Sequence, residues 1–103
     1  SMKELDAYHV ELYKVYHHLA PAKKLAEMRA ASDTMAKRCE ELAKAPVPKR
    51  FAAKEADVRK GTAELCAATD ALRAAAAGTD ADKVGQAVET VHARYQAVAK
   101  IFE

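Results

Sequence analysis

Apolar residues recur at three- and four-residue intervals along most of this chain, with polar residues between them. Over residues 3–19 the stripe is Leu5, Tyr8, Leu12, Val15, Tyr16 and Leu19. That spacing gathers the apolar side chains on one face of a helix. Pro21 has no N–H to continue the helix, but it suits the first turn of a following one. A second helix is predicted over residues 22–44, with Leu25, Met28, Ser32, Met35, Cys39 and Leu42 as a heptad seam. The stretch "APVPKR" at 45–50 then breaks the pattern with two prolines.

A third helix is predicted over residues 51–77, where Phe51, Val58, Leu65 and Leu72 share one heptad position. Gly78 is expected to cap its end, and Thr79 or Asp80 to cap the start of the next. The fourth helix, over residues 81–102, carries Val84, Val88, Val91, Tyr95, Val98 and Phe102. Four such helices with short links have antiparallel neighbours. The expected fold is all-α: an antiparallel up-down-up-down four-helix bundle, one domain spanning residues 1–103.

Composition supports this and narrows the function. Half of the 103 residues are apolar, and there are only three glycines and three prolines. The formal net charge is +2. The basic pairs Lys23-Lys24, Lys37-Arg38, Lys49-Arg50 and Arg59-Lys60 are scattered among acids rather than gathered on one face. Solvated helix surfaces explain them better than nucleic-acid binding does, so no nucleic-acid partner is expected. No apolar run approaches the ~20 residues that span a bilayer, so no membrane insertion is expected. Ser1 reads as a remnant of cloning. With Met2 as the native start the expectation is a cytoplasmic protein, since these residues hold no signal-peptide pattern.

The two cysteines are not expected to pair. Cys39 lies on the second seam as a small buried hydrophobe, and Cys66 on a boundary column of the third helix. Counted from a turn near Val47, they differ in height by on the order of 15 Å at ~1.5 Å per residue. A disulfide needs Cα atoms within about 7 Å.

Candidate chemistry rests on the histidines. At 100° per residue, His9 stands about 50° from the centre of the first apolar stripe, inward at the core's edge. His17 and His18 point toward solvent. His92 stands about 80° from the centre of the fourth seam, and Gly85 and Ala99, one heptad away on either side, leave room beside it. His9 and His92 fall at matching heights on neighbouring helices, with Met35 and Cys66 near the same level. Imidazoles with soft sulfur ligands suit copper or zinc, and paired axial ligands suit haem. The candidate metal ligands are therefore His9, His92, Met35 and Cys66, with His17 more distant. For haem they are His9, His92 and Tyr95. The simpler account is a set of interhelical hydrogen bonds among these histidines and Tyr8, Tyr16 or Tyr95, with no cofactor at all.

The stretch "VETVHARYQ", 88–96, carries a resemblance. It resembles the last helix of the cytochrome c prime family, whose motif is C-x-x-C-H-x-x-Tyr/Phe-Arg. His92 and Tyr95 match. Val88 and Val91 stand where the cysteines would be, and Gln96 where the arginine would be, so thioether attachment is excluded. The bundle is also similar to the soluble b-type four-helix cytochrome, which implies axial ligands at His9 and His92. Tyr8-His9, His17, Pro21 and the run Val91-His92-Ala93-Arg94-Tyr95 resemble uncharacterised secreted bacterial helical bundles. That likeness implies a periplasmic or secreted protein.

Two functions follow. One is a non-enzymatic bundle holding copper, zinc or non-covalent haem between its first and last helices. The other is a structural or interaction module without cofactor, binding a protein partner or forming a homodimer, in which exposed Tyr13 and the basic pairs matter most. Nothing resembles a nucleophile–base pair or a phosphate loop, so no enzyme is expected. A dinuclear carboxylate site would draw on Glu89 with His92, Asp6 with His9, and Asp33 and Glu64. The last two lie off their seams.

Overall fold

The computed structural model describes all residues, 1–103, and is all-helical with no strand. The helices are α1 (Lys3–Lys14), α2 (Leu25–Lys44), α3 (Glu55–Ala76) and α4 (Ala81–Ile101). A π-helical turn (Val15–Leu19) extends α1, and a 3-10 turn (Lys49–Lys54) precedes α3. The four helices pack into a body of 42 × 20 × 18 Å.

The predicted seams form the core. Leu5, Tyr8, Leu12, Val15 and Leu19 are buried, as are Met28, Ser32, Met35, Cys39 and Leu42. Val58, Leu65, Leu72, Val84, Val88, Val91 and Val98 complete it. Leu25, Phe51, Tyr95 and Phe102, also assigned to seams, are only partly buried. They sit near helix ends or on the α1–α4 boundary. Phe51 and Phe102 meet edge to face, 4.8 Å between centroids, and close one end of the molecule.

Cross-helix contacts fix how neighbours meet. Between α2 and α3, Arg29 reaches the Ala76 carbonyl (2.6 Å), Asp33 pairs with Arg73 (2.7 Å) and Arg59 reaches the Ala45 carbonyl (2.9 Å). Residue numbers fall on one helix as they rise on the other. Arg29 and Arg59 occupy carbonyls at a helix C-terminus that lack intrahelical partners. Lys54, at the end of the 3-10 turn before α3, bonds the Ile101 carbonyl of α4, and Glu64 of α3 meets Arg94 of α4. Gly61 permits the close approach there: a Cβ on it would stand 3.0 Å from Val98 Cγ2.

Three boundaries differ from the sequence expectation, each for a local reason. The first helix does not run evenly to Leu19. A proline ring clashes with the carbonyl four residues back, here that of His17. The helix widens ahead of Pro21, and the Ala20 N–H reaches back five residues to the Val15 carbonyl. Pro21 therefore belongs to the end of this helix rather than to the first turn of the next. Lys23 adopts a left-handed φ of 55°. The Lys24 N–H bonds the Leu19 carbonyl and the Lys23 N–H the Ala20 carbonyl, a Schellman ending with lysine where glycine is preferred.

The third helix begins at Glu55, not at residue 51, because Phe51 leaves helical geometry (φ −110°, ψ 16°). Gly78 does not form the expected left-handed cap, since no glycine has positive φ. Asp80, one of the two residues considered, does cap α4: its Oδ1 accepts from the Asp82 and Lys83 N–H groups.

Candidate functional site

All four tyrosines and all four histidines of the chain form one connected set of ring contacts on the α1–α4 side. His9, Tyr13 and His17 follow at four-residue spacing, which puts them on one strip of α1 and its π-turn. Tyr13 stands edge-on to His9 at 6.3 Å and lies 4.2 Å from His17. It also meets His18 at 6.1 Å. The second row comes from Tyr8, Tyr16, His92 and Tyr95. His9 stacks on Tyr95 (4.6 Å, 14° between planes), and Tyr95 on Tyr8 (6.4 Å, 12°). Tyr16 stacks on His92 (3.9 Å, 13°) and meets His17 at 5.3 Å. Stacked rings thus join α1 to α4 at the rim, outside the aliphatic core.

The structure departs from the helical-wheel positions at His9 and in which rings meet. His9 is exposed, not inward. Tyr95, from the neighbouring helix, gives its ring a flat surface, and the imidazole lies over that surface at the rim instead of entering the core. His92 is half-buried, and its partner is Tyr16 rather than His9. Each of these two imidazoles therefore stacks on a tyrosine of the opposite helix. The expected interhelical hydrogen bonds are replaced by ring stacking. His17 and His18 are exposed as expected. Met35 is fully enclosed in the core. Cys66 lies on the other side of the molecule, against α2, with its S–H 3.6 Å from the Cys39 carbonyl.

Tyr8 is the buried anchor of the ring set. Its hydroxyl lies 2.6 Å from Thr69 Oγ1. Thr69 donates its own proton to the Leu65 carbonyl (2.8 Å), so its oxygen accepts from the Tyr8 O–H. Burial raises the Tyr8 pKa well above the usual tyrosine range, against the opposing effect of the Thr69 bond. Burial, then the nearby Asp6 carboxylate, also raise that of Tyr95.

The outer edge of the site is apolar. Val10 is 68% exposed and Tyr13 51%, and these are the large hydrophobic side chains that face solvent. The open space lies at Gly85, where a Cβ would touch nothing within 4 Å, while the ring of His92 itself is covered by Tyr16. Gly85 lines an open groove with Tyr16, Ala20, Pro21, Val88 and Glu89. No three His, Cys, Asp or Glu side chains are grouped so as to hold a metal ion. Asp33 and Glu64, considered for a dinuclear carboxylate site, are engaged by Arg73 and Arg94 at the surface. No helix is long and apolar enough to cross a membrane.

Periodicity along single helices does not reveal the ring network as a unit. Its signal was present in the four-residue spacing of His9, Tyr13 and His17. The chain matches no known family, no curated protein and no solved structure.

Proposed function

We propose that this chain is a non-enzymatic interaction module, an antiparallel up-down-up-down bundle whose working surface is the outer face of α1. The antiparallel assignment is supported by the opposed numbering of the contacts at the α2–α3, α3–α4 and α1–α4 boundaries. The observation that carries the functional reading is the exposure of Val10 and Tyr13 beside His9 and His17. Apolar surface costs free energy in water, and a contiguous patch ringed by polar groups suits a partner. Tyr13 offers a large rigid ring with a polar tip, the kind of side chain that anchors interfaces.

A second copy fits this face. The first turn of α1 carries Glu4 and Asp6, while Lys14 closes the helix and His17 and His18 follow it. Of these, Asp6 and His17 share the outward strip with Tyr13, so two such helices packed antiparallel about a twofold axis set Asp6 toward the other copy's His17 and Tyr13 near its counterpart. The face is a single helix wide, so the dimer belongs to the weak, transient class. Sedimentation velocity across a concentration series tests this. A weight-average mass rising toward a dimer in the wild type, and held at the monomer value in Tyr13→Glu, supports it. A wild type that stays monomeric at millimolar concentration rules it out.

A second reading, copper, zinc or haem held by His9 and His92, is favoured by one observation: every imidazole of the chain lies in the same ring network. It agrees with the resemblance of Val91-His92 and Tyr95 to a cytochrome-type last helix. Ligation would require His9 to leave Tyr95 and His92 to leave Tyr16. Calorimetric titration with copper(II), zinc(II) and haemin decides it. Binding that disappears in the His9→Ala/His92→Ala double variant supports this reading, and unchanged or absent binding removes it. Export to the periplasm or beyond follows only from the likeness to secreted helical bundles.

A further inference from the structure

Counting along the helices put Cys39 and Cys66 at different heights, but the structure makes them neighbours. The cause is the link between α2 and α3. Backbone at Ala45 and Pro48 is extended (ψ 142° and 141°). Extended residues advance about 3.3 Å each, against 1.5 Å in a helix. Residues 45–48 therefore carry the chain well beyond the end of α2 before it turns, and α3 needs extra residues to return to the same level.

We propose that Cys39 and Cys66 form a reversible disulfide that joins α2 to α3, made by exchange with a low-molecular-weight disulfide. Both cysteines are free, and the Cys66 sulfur reaches the backbone of Cys39. The Cys66 S–H donates to the Cys39 carbonyl at 3.6 Å, and the Cys39 sulfur lies 3.7 Å from Thr69 Oγ1. Contact with Cys66 favours the Cys39 thiolate and, with burial, disfavours that of Cys66. Cys39 is buried, while Cys66 is partly open to solvent. Both line a surface groove of about 220 Å³ with Ala36, Glu40, Asp70 and Arg73. That volume admits a small disulfide such as oxidised glutathione only at its end, which is the part that must react.

The exchange balances in two steps. Cys66 carries the disfavoured thiolate but is the thiol that solvent reaches, so it is the one that meets the small disulfide: it loses its proton to solvent, and its thiolate attacks one sulfur of that disulfide. A protein–small-thiol mixed disulfide forms and one small thiolate leaves. Cys39 likewise loses its proton, and its thiolate attacks the Cys66 sulfur, forming the Cys39–Cys66 bond and expelling the second small thiolate. In sum, two protein thiols are oxidised and one small disulfide is reduced to two thiols. Helix positions need little adjustment, because the bonds from Arg29 to the Ala76 carbonyl and from Arg73 to Asp33 already hold α2 and α3 together on one side of the pair. Arg59, bonded to the Ala43 and Ala45 carbonyls, holds the other side.

The test is to treat the folded protein with oxidised glutathione, block residual thiols with N-ethylmaleimide and analyse intact mass and proteolytic fragments. The expected product is a monomer lacking two hydrogens, with a fragment linking Cys39 to Cys66, no maleimide label and full reversal by a reducing agent. It should form faster in the folded protein than in guanidinium, and it should raise the midpoint of thermal unfolding. In Cys39→Ser, checked for helicity by circular dichroism, Cys66 should instead retain a glutathione adduct. The proposal is overturned if the wild type keeps that adduct, cross-links between molecules, still labels at both cysteines, or closes no faster when folded.

Discussion

The Tyr8 hydroxyl donates to Thr69 Oγ1 across 2.6 Å of the interior, joining α1 to α3 behind the exposed ring strip. Unequal losses follow from removing either partner. Thr69→Val leaves the Tyr8 hydroxyl buried without an acceptor and should cost about 1–3 kcal/mol. Tyr8→Phe leaves Thr69 still bonded to the Leu65 carbonyl and should cost less, about 1 kcal/mol. Urea unfolding of both variants and of the double variant measures the difference and the coupling.

The same residue predicts an alkaline limit to stability. The folded Tyr8 pKa lies above its unfolded value of about 10, because burial disfavours the phenolate. Its contribution is complete below pH ~10, where both states hold the proton. Above that, the unfolded state ionises first and stability falls as pH rises toward the folded pKa. Tyr8→Phe should show a shallower decline between about pH 10 and 12 than the wild type, read by chemical unfolding at each pH.

The left-handed backbone at Lys23 is strained for any residue with a Cβ. Lys23→Gly should therefore raise stability by about 1 kcal/mol, despite the added freedom glycine brings to the unfolded chain. A lower melting temperature in this variant would show that the Schellman geometry at Lys23 is not strained.

Two glycines should respond differently to the same change. Gly85 sits in a helix with open space around its Cβ position, so Gly85→Ala should stabilise by roughly 0.5–1 kcal/mol. At Gly61 the added methyl meets Val98 Cγ2 at 3.0 Å. Overpacking there should make Gly61→Ala less stable than Gly85→Ala by about 1 kcal/mol or more. Thermal unfolding of the pair distinguishes a glycine kept for helix approach from one that borders a groove.

The sequence made the seams legible because burial follows helical period: Leu5, Leu12, Met35, Leu65 and Val91 are all core residues. It misled where the period changes. A helical wheel turns by 100° per residue, but the π-turn ahead of Pro21 does not, so the helix closes differently from the prediction although Leu19 still reaches the core. Heights counted from Val47 assumed a compact turn, but extended backbone at Ala45 and Pro48 and the 3-10 turn Lys49–Lys54 shift the register so that Cys66 meets Cys39. His9 shows a third kind of failure. Its wheel angle was inward, but Tyr95 of the neighbouring helix provides a flat surface for the imidazole at the rim. Pairings across helices depend on two helices at once, which one-helix periodicity does not contain.

The central claim is that the exposed α1 face works by taking a second copy. The most direct measurement is sedimentation velocity of the wild type and of Tyr13→Glu, side by side up to millimolar concentration. The account predicts a wild-type boundary that shifts toward dimer with concentration and a variant boundary that does not move. Coincident monomer boundaries for both proteins at every concentration would contradict it.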